Sequence, residues 1–63
     1  MQKPIGNKEY QLIGPGSHDK VMGTLNEWAD ADILRGVVSM YFDGDRIGIL
    51  VKVNRNNAAN FQS

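Results

Sequence analysis

No cysteine occurs anywhere in the 63 residues, so disulfides, thiolate zinc sites and cysteine nucleophiles are all excluded. Histidine is nearly absent too: His18 is the only one, which rules out a metal site built on two imidazoles. Charge of neither sign is in excess. Seven Lys and Arg balance seven Asp and Glu, which argues against a protein held to nucleic acid mainly by bulk charge. No apolar run approaches the roughly 20 residues needed to span a bilayer, and the opening MQKPIGNKEY has no apolar h-region of a signal peptide. The expectation is a soluble, cytoplasmic protein without membrane contact.

Length adds a further constraint. A chain of about 60 residues buries only roughly 60% of the surface that its unfolded form exposes. With no covalent or thiolate staple to compensate, self-association or a partner is the remaining support at this size. Residues 1–63 therefore read as one small domain, expected to be a homo-oligomer.

What the sequence does contain is a hairpin. Val37 to Val53, VVSMYFDGDRIGILVKV, reads as two strands joined at Asp43-Gly44, a pair that suits the positive φ of a tight hairpin turn. With a two-residue loop Asp43-Gly44, Tyr41 faces Arg46, Met40 faces Ile47 and Val37 faces Leu50. A four-residue loop, Asp43 to Arg46, gives the same parity. Side chains alternate between faces along a strand. Val38, Met40, Phe42, Ile47, Ile49, Val51 and Val53 then share one face, and Val37, Ser39, Tyr41, Arg46, Gly48, Leu50 and Lys52 the other. A one-residue slip would destroy that agreement.

Ahead of the hairpin, residues 1–7 contain Pro4 and Gly6 and read as a flexible lead-in. Lys8 to Ile13 suits a short strand by its aromatic and β-branched content, ended by Gly14-Pro15-Gly16. Ser17 to Arg35 is the helical part. Ser17 is placed to cap and Asp19 to sit in the first turn. Val21, Met22, Leu25, Trp28 and Ala29 fall on one helix face. Thr24 to Glu27 offers a second start as a capping box. Continuing to Arg35 would put Asp32 in the apolar arc, so a break is expected around Asp30 to Asp32, with Gly36 a candidate stop. After Val53 comes NRNNAANFQS, with four Asn and only Phe61 as an anchor. Residues 54–63 read as flexible, either frayed or ordered by a partner chain.

The expected fold is α+β: a small antiparallel three-stranded sheet in strand–helix–strand–strand order, with one helix packed on one face. A small all-β barrel in which Lys20 to Trp28 is a strand is the rival, and the helical periodicity favours the former.

The residues offer little chemistry. His18 beside Asp19 could serve in acid–base work, but an exposed residue in a first helical turn is the simpler reading. Neither Ser17 nor Ser39 sits in a nucleophile elbow. Gly14-Pro15-Gly16-Ser17 could present amides to a phosphate, yet it lacks a P-loop lysine and the dinucleotide spacing. Asp30, Asp32, Asp43 and Asp45 fit turn and cap chemistry better than a calcium loop. Six of the seven acids lie between Asp19 and Asp45, whereas Arg46 to Ser63 holds three cations and no acid. That polarity could steer a partner or pair chains head to tail. No catalytic set, metal site or cofactor is expected.

The non-core face of the hairpin is the best functional candidate. Val37 and Leu50 point away from the main apolar face, so a second cover, another copy or a target protein, is implied. Brevity, the missing catalytic set and the two-sided hairpin are compatible with small phage-type accessory proteins that work by binding. The leading expectation is a non-catalytic inhibitor or adaptor docking on a larger protein through Val37, Tyr41, Arg46, Leu50 and Lys52 or a free strand edge. The alternative is a nucleotide or single-stranded nucleic-acid binder, stacking a base on Tyr41 and holding phosphate with Arg46, Lys52 and Arg55.

Overall fold

A computed structural model describes residues 2–61. The elements are β1 (Tyr10–Ser17), α1 (His18–Asp30), β2 (Leu34–Asp43), β3 (Arg46–Val53) and α2 (Arg55–Phe61). The three strands form one antiparallel sheet in the order β1-β3-β2, so the last strand in sequence is central. The expected α+β order of strand, helix, strand, strand is what forms, with α2 added at the end. No helix among the described residues is long and apolar enough to cross a membrane.

The Gly-Pro-Gly run does not end β1, contrary to the sequence reading. Ile13 lies opposite Ile49 and Gly16 opposite Ile47, so three steps on β1 match two on β3 and the extra residue is absorbed as an irregularity. Pro15 costs no ladder bond to a further neighbour because β1 is an edge strand. Gly14 adopts φ +91°, and a Cβ there would lie 2.8 Å from the carbonyl oxygen of Ile47.

Helix α1 starts as its sequence dictates: the Ser17 hydroxyl accepts from the Lys20 amide at 3.5 Å, and Asp19 sits in the first turn. One helix runs through Gly23 and Thr24. Thr24 is buried in its middle instead of capping a second helix, and Ala29, expected on the apolar face, is exposed. Val21 and Trp28 are buried, with Met22 and Leu25 packed beside them. The helix stops at the expected place by a Schellman motif. Asp32 takes φ +58°, its amide bonds to Ala29 O at 3.1 Å, and the Ile33 amide reaches back to Trp28 O at 2.9 Å. The accompanying apolar contact is present, since Trp28 and Ile33 are both fully buried in one cluster. Gly36, read as a possible stop, lies inside β2 instead.

The core collects Ile13, Val21, Trp28 and Ile33 against Ile47, Ile49, Val51 and Val53 of β3. The first and last described segments are both tied to it. The Trp28 indole donates to Gln2 O at 3.1 Å. Gln2 also grips the outer edge of β1, its Nε2 donating to Leu12 O at 2.7 Å and its Oε1 accepting from the Gly14 amide at 2.9 Å. The buried Gln11 carboxamide bonds the backbone of Ile5 and Lys8. The lead-in is thus fastened from Gln2 to Lys8. At the other end, Asn54 Oδ1 accepts from the amides of Asn56 and Asn57, and Ala58 is fully buried. The segment read as a flexible tail therefore holds a helix from Arg55 to Phe61. Asn is a poor helix interior but a leading N-cap residue, and Asn54 occupies the cap. Positions 62 and 63 of that tail lie outside the described residues.

Two stability changes should follow. Replacing Asp32 by Gly removes the left-handed penalty and should raise stability by about 0.5–1 kcal/mol, while Asp32→Val should lower it by about 1 kcal/mol or more. Urea unfolding followed by the fluorescence of Trp28 measures both. By the same assay Gly14→Ala should cost about 2 kcal/mol or more, because the positive φ and the Ile47 carbonyl both oppose a Cβ.

Candidate interaction surface

The site arises from incomplete cover. Helix α1 packs on β1 and β3, and every residue of β2 after Leu34 is exposed. A helix about 10 Å across shields two strands spaced about 4.8 Å apart, not three. The strand left over is β2.

Its register with β3 decides which side chains are bare. Asp43 pairs with Arg46, leaving Gly44 and Asp45 as the turn, with positive φ at Gly44. This is the pairing of the longer Asp43–Arg46 loop, so Tyr41 faces Gly48 instead of Arg46, and Met40 faces Ile49 instead of Ile47. Parity is unchanged over Ser39 to Asp43. Beyond it, a register shift between Val37 and Ser39 inserts Val38 as an extra residue, and a second shift follows between Leu34 and Gly36. The first shift overturns one expected assignment. Val37 pairs with the core residue Val51, not with Leu50, so it lies on the helix side of the sheet.

On that side Val37, Met40 and Phe42 extend the row formed by Val51, Ile49 and Ile47. On β3 the row is at most 2% exposed, whereas Phe42 is 70% exposed and Val37 and Met40 are each about half exposed. Val38 and Tyr41 are similarly bare. Val38, Met40 and Phe42 were placed in the core by alternation alone. The available signal was the arithmetic of one 13-residue helix over three strands.

The opposite face has no helix over it. Leu50 lies between Leu12 and Ser39, half-sheltered by its neighbours. Tyr41 lies directly against Gly48: a Cβ on Gly48 would sit 2.3 Å from the ring. The space that glycine leaves is therefore filled by the tyrosine. Arg46 Nη2 donates to Pro15 O at 3.1 Å, and Lys52 Nζ lies 3.8 Å from Glu9 Oε1. Arg46 and Lys52 are six residues apart on one strand, about 20 Å. Arg55 is exposed in the first turn of α2, beyond the strand end. Tyr41 and Arg46 are diagonal neighbours near the turn, and Lys52 and Arg55 belong to the other end of the hairpin. The four do not converge on one point.

Elsewhere the structure offers little to hold a ligand. A groove of ≈ 500 Å³ lies between α1 and the Gly14–Gly16 segment, with Gln2, Asp19, Lys20 and Thr24 among its lining residues. The Gly14 amide is already taken by Gln2. His18 is exposed, its Nδ1 3.9 Å from an Asp19 oxygen. Among the described residues no group of three or more His, Asp or Glu gathers to hold a metal. No family model, no characterised protein and no solved structure matches this chain.

Proposed function

We propose that this chain is a small non-catalytic binding module, of inhibitor or adaptor type, that docks on a larger protein through strand β2. The observation that supports this reading is the bare strand itself. Five apolar side chains, Val37, Val38, Met40, Tyr41 and Phe42, stand exposed on one edge strand, on both of its faces. Natural sheets usually blunt an edge with Lys, Pro, inward charge or a bulge; Gly36 to Phe42 carries none of the first three, and the insertion at Val38 is the one such device within it. Burying an exposed Phe or Met side chain fully is worth about 1.5–3 kcal/mol, so a few such anchors supply useful affinity. The nucleotide reading draws less support, because Tyr41 is laid against Gly48 and the cations it would use are spread along the hairpin.

Phe42→Asp should leave the far-UV circular dichroism and the melting curve nearly unchanged, because the side chain touches little of the core. It should reduce recovery of a bound protein from the native host by about tenfold or more in quantitative affinity capture. Tyr10→Asp, also exposed but on the far strand, should not. Recovery indifferent to Phe42→Asp and to Met40→Asp would overturn the assignment. Oligonucleotide binding lost on Tyr41→Ala and Arg46→Ala would replace it with the nucleic-acid reading.

A further inference from the structure

The flank of α1 nearer β2 is itself apolar. The groove on the other flank takes Lys20, Gly23 and Thr24, so the helical period turns Met22, Leu25 and Ala29 toward β2. Met22 and Leu25 are only partly buried, and Ala29 is exposed. With Val37, Met40 and Phe42 as its floor and this flank as its wall, an open trough runs beside α1. Neighbouring helices pack about 8–10 Å apart and neighbouring strands about 4.8 Å apart, so a helix set beside α1 has its axis over β2 or just beyond it. The floor from Val37 to Phe42 is roughly 15 Å long, about three helical turns.

We infer that the trough seats a basic amphipathic helix of the larger protein, which lies beside α1 and completes a two-helix layer over the sheet. The inference rests on the binding reading above and deepens it by giving the partner's chemistry. Charge identifies the occupant. Residues 18–45, which contain α1 and β2, hold six acids against Lys20 and Arg35, a net charge of −4 with His18 neutral, and the rest of the chain carries +4. Asp19 and Asp30 stand exposed on α1, and Asp43 and Asp45 at the turn end of β2, so cations beside an apolar helix face meet opposite charge. Area limits the occupant's size. Val37, Met40 and Phe42 leave on the order of 300 Å² of apolar surface open. A stable pair of globular partners covers about 800 Å² on each side, more than half of it apolar. The trough falls short of that and suits one helix with anchors at i, i+3 or i+4, and i+7. Among the described residues a second copy offers no such helix. The outward face of α1 carries Asp19, Asn26 and Asp30, and α2 is seven residues with three Asn.

A synthetic peptide tests the seat. The probe is a fluorescein-labelled peptide of about 14 residues with Leu at i, i+4, i+7 and i+11, and Lys and Gln elsewhere. Fluorescence anisotropy should show it binding the full chain with a Kd of about micromolar order, and circular dichroism should show a gain in helix on binding. A counterpart with Glu in place of Lys should bind about tenfold more weakly or worse. Phe42→Asp and Met40→Asp should each weaken the Lys peptide by about tenfold or more. Both variants add negative charge, so attraction by bulk charge alone would strengthen binding instead. Tyr10→Asp should not weaken it. Equal binding of the Lys and Glu peptides, no gain of helix, or indifference to both β2 variants would overturn the inference. Host-protein capture that depends on Phe42, with no binding of the Lys peptide, would sink the helix and leave the binding reading standing. A peptide held in the trough while capture stays indifferent to Phe42→Asp would do the reverse.

Discussion

One helix cannot cover three strands, and the character of this molecule follows from that mismatch. Helix α1 lies over β1 and β3, where Trp28 and Val21 meet Ile13, Ile47 and Ile49 in a buried core. Among the described residues there is no second long helix to extend the cover, since α2 spans seven residues and its buried side chain is one alanine. The apolar row that is sealed on β3 is therefore continued on β2 without a lid. Here it becomes the surface on which recognition is proposed.

The rest of the chain reinforces the contrast between the sealed and the open side. Two glutamines fasten the N-terminal segment to β1, and both do it with carboxamides that donate and accept at once. Asn54 and Asn57 do the equivalent work for α2, the latter donating to Asp32 O at 2.6 Å. These amides substitute for the disulfides that a small domain of this length often needs. They are concentrated at the β1 side and at the end of the sheet. At the start of β2, Leu34 packs against the core; further along, the strand is held by the ladder with β3 and by the contact of Tyr41 with Gly48, in which the ring covers a glycine that would otherwise leave the ladder bare.

The hairpin, the helix cap at Ser17, the stop near Asp32 and the strand–helix–strand–strand order along the chain were readable from local chemistry. Each depends on residues within a few positions of one another: Gly44 for the turn, Ser for the cap, alternation for the faces of Ser39 to Asp43. The misreadings share a different character. Gly14-Pro15-Gly16 looked like a terminator because Pro and Gly break regular ladders, yet an edge strand with room for an extra residue accommodates them. The Asn-rich tail looked unstructured because helix propensity counts interior positions, whereas Asn54 acts at the cap. Val37 was assigned to the wrong face because alternation carries no information about where a strand takes an inserted residue.

The sequence by itself determined the three strands, the first helix and the parity of the hairpin beside its turn, since these are set by short-range backbone preference and by side-chain period. The tertiary structure decided what those elements cover. Whether Phe42 and Met40 are core or surface depends on the width of a helix relative to the sheet beneath it, and that is a property of packed layers which no local pattern of residues encodes.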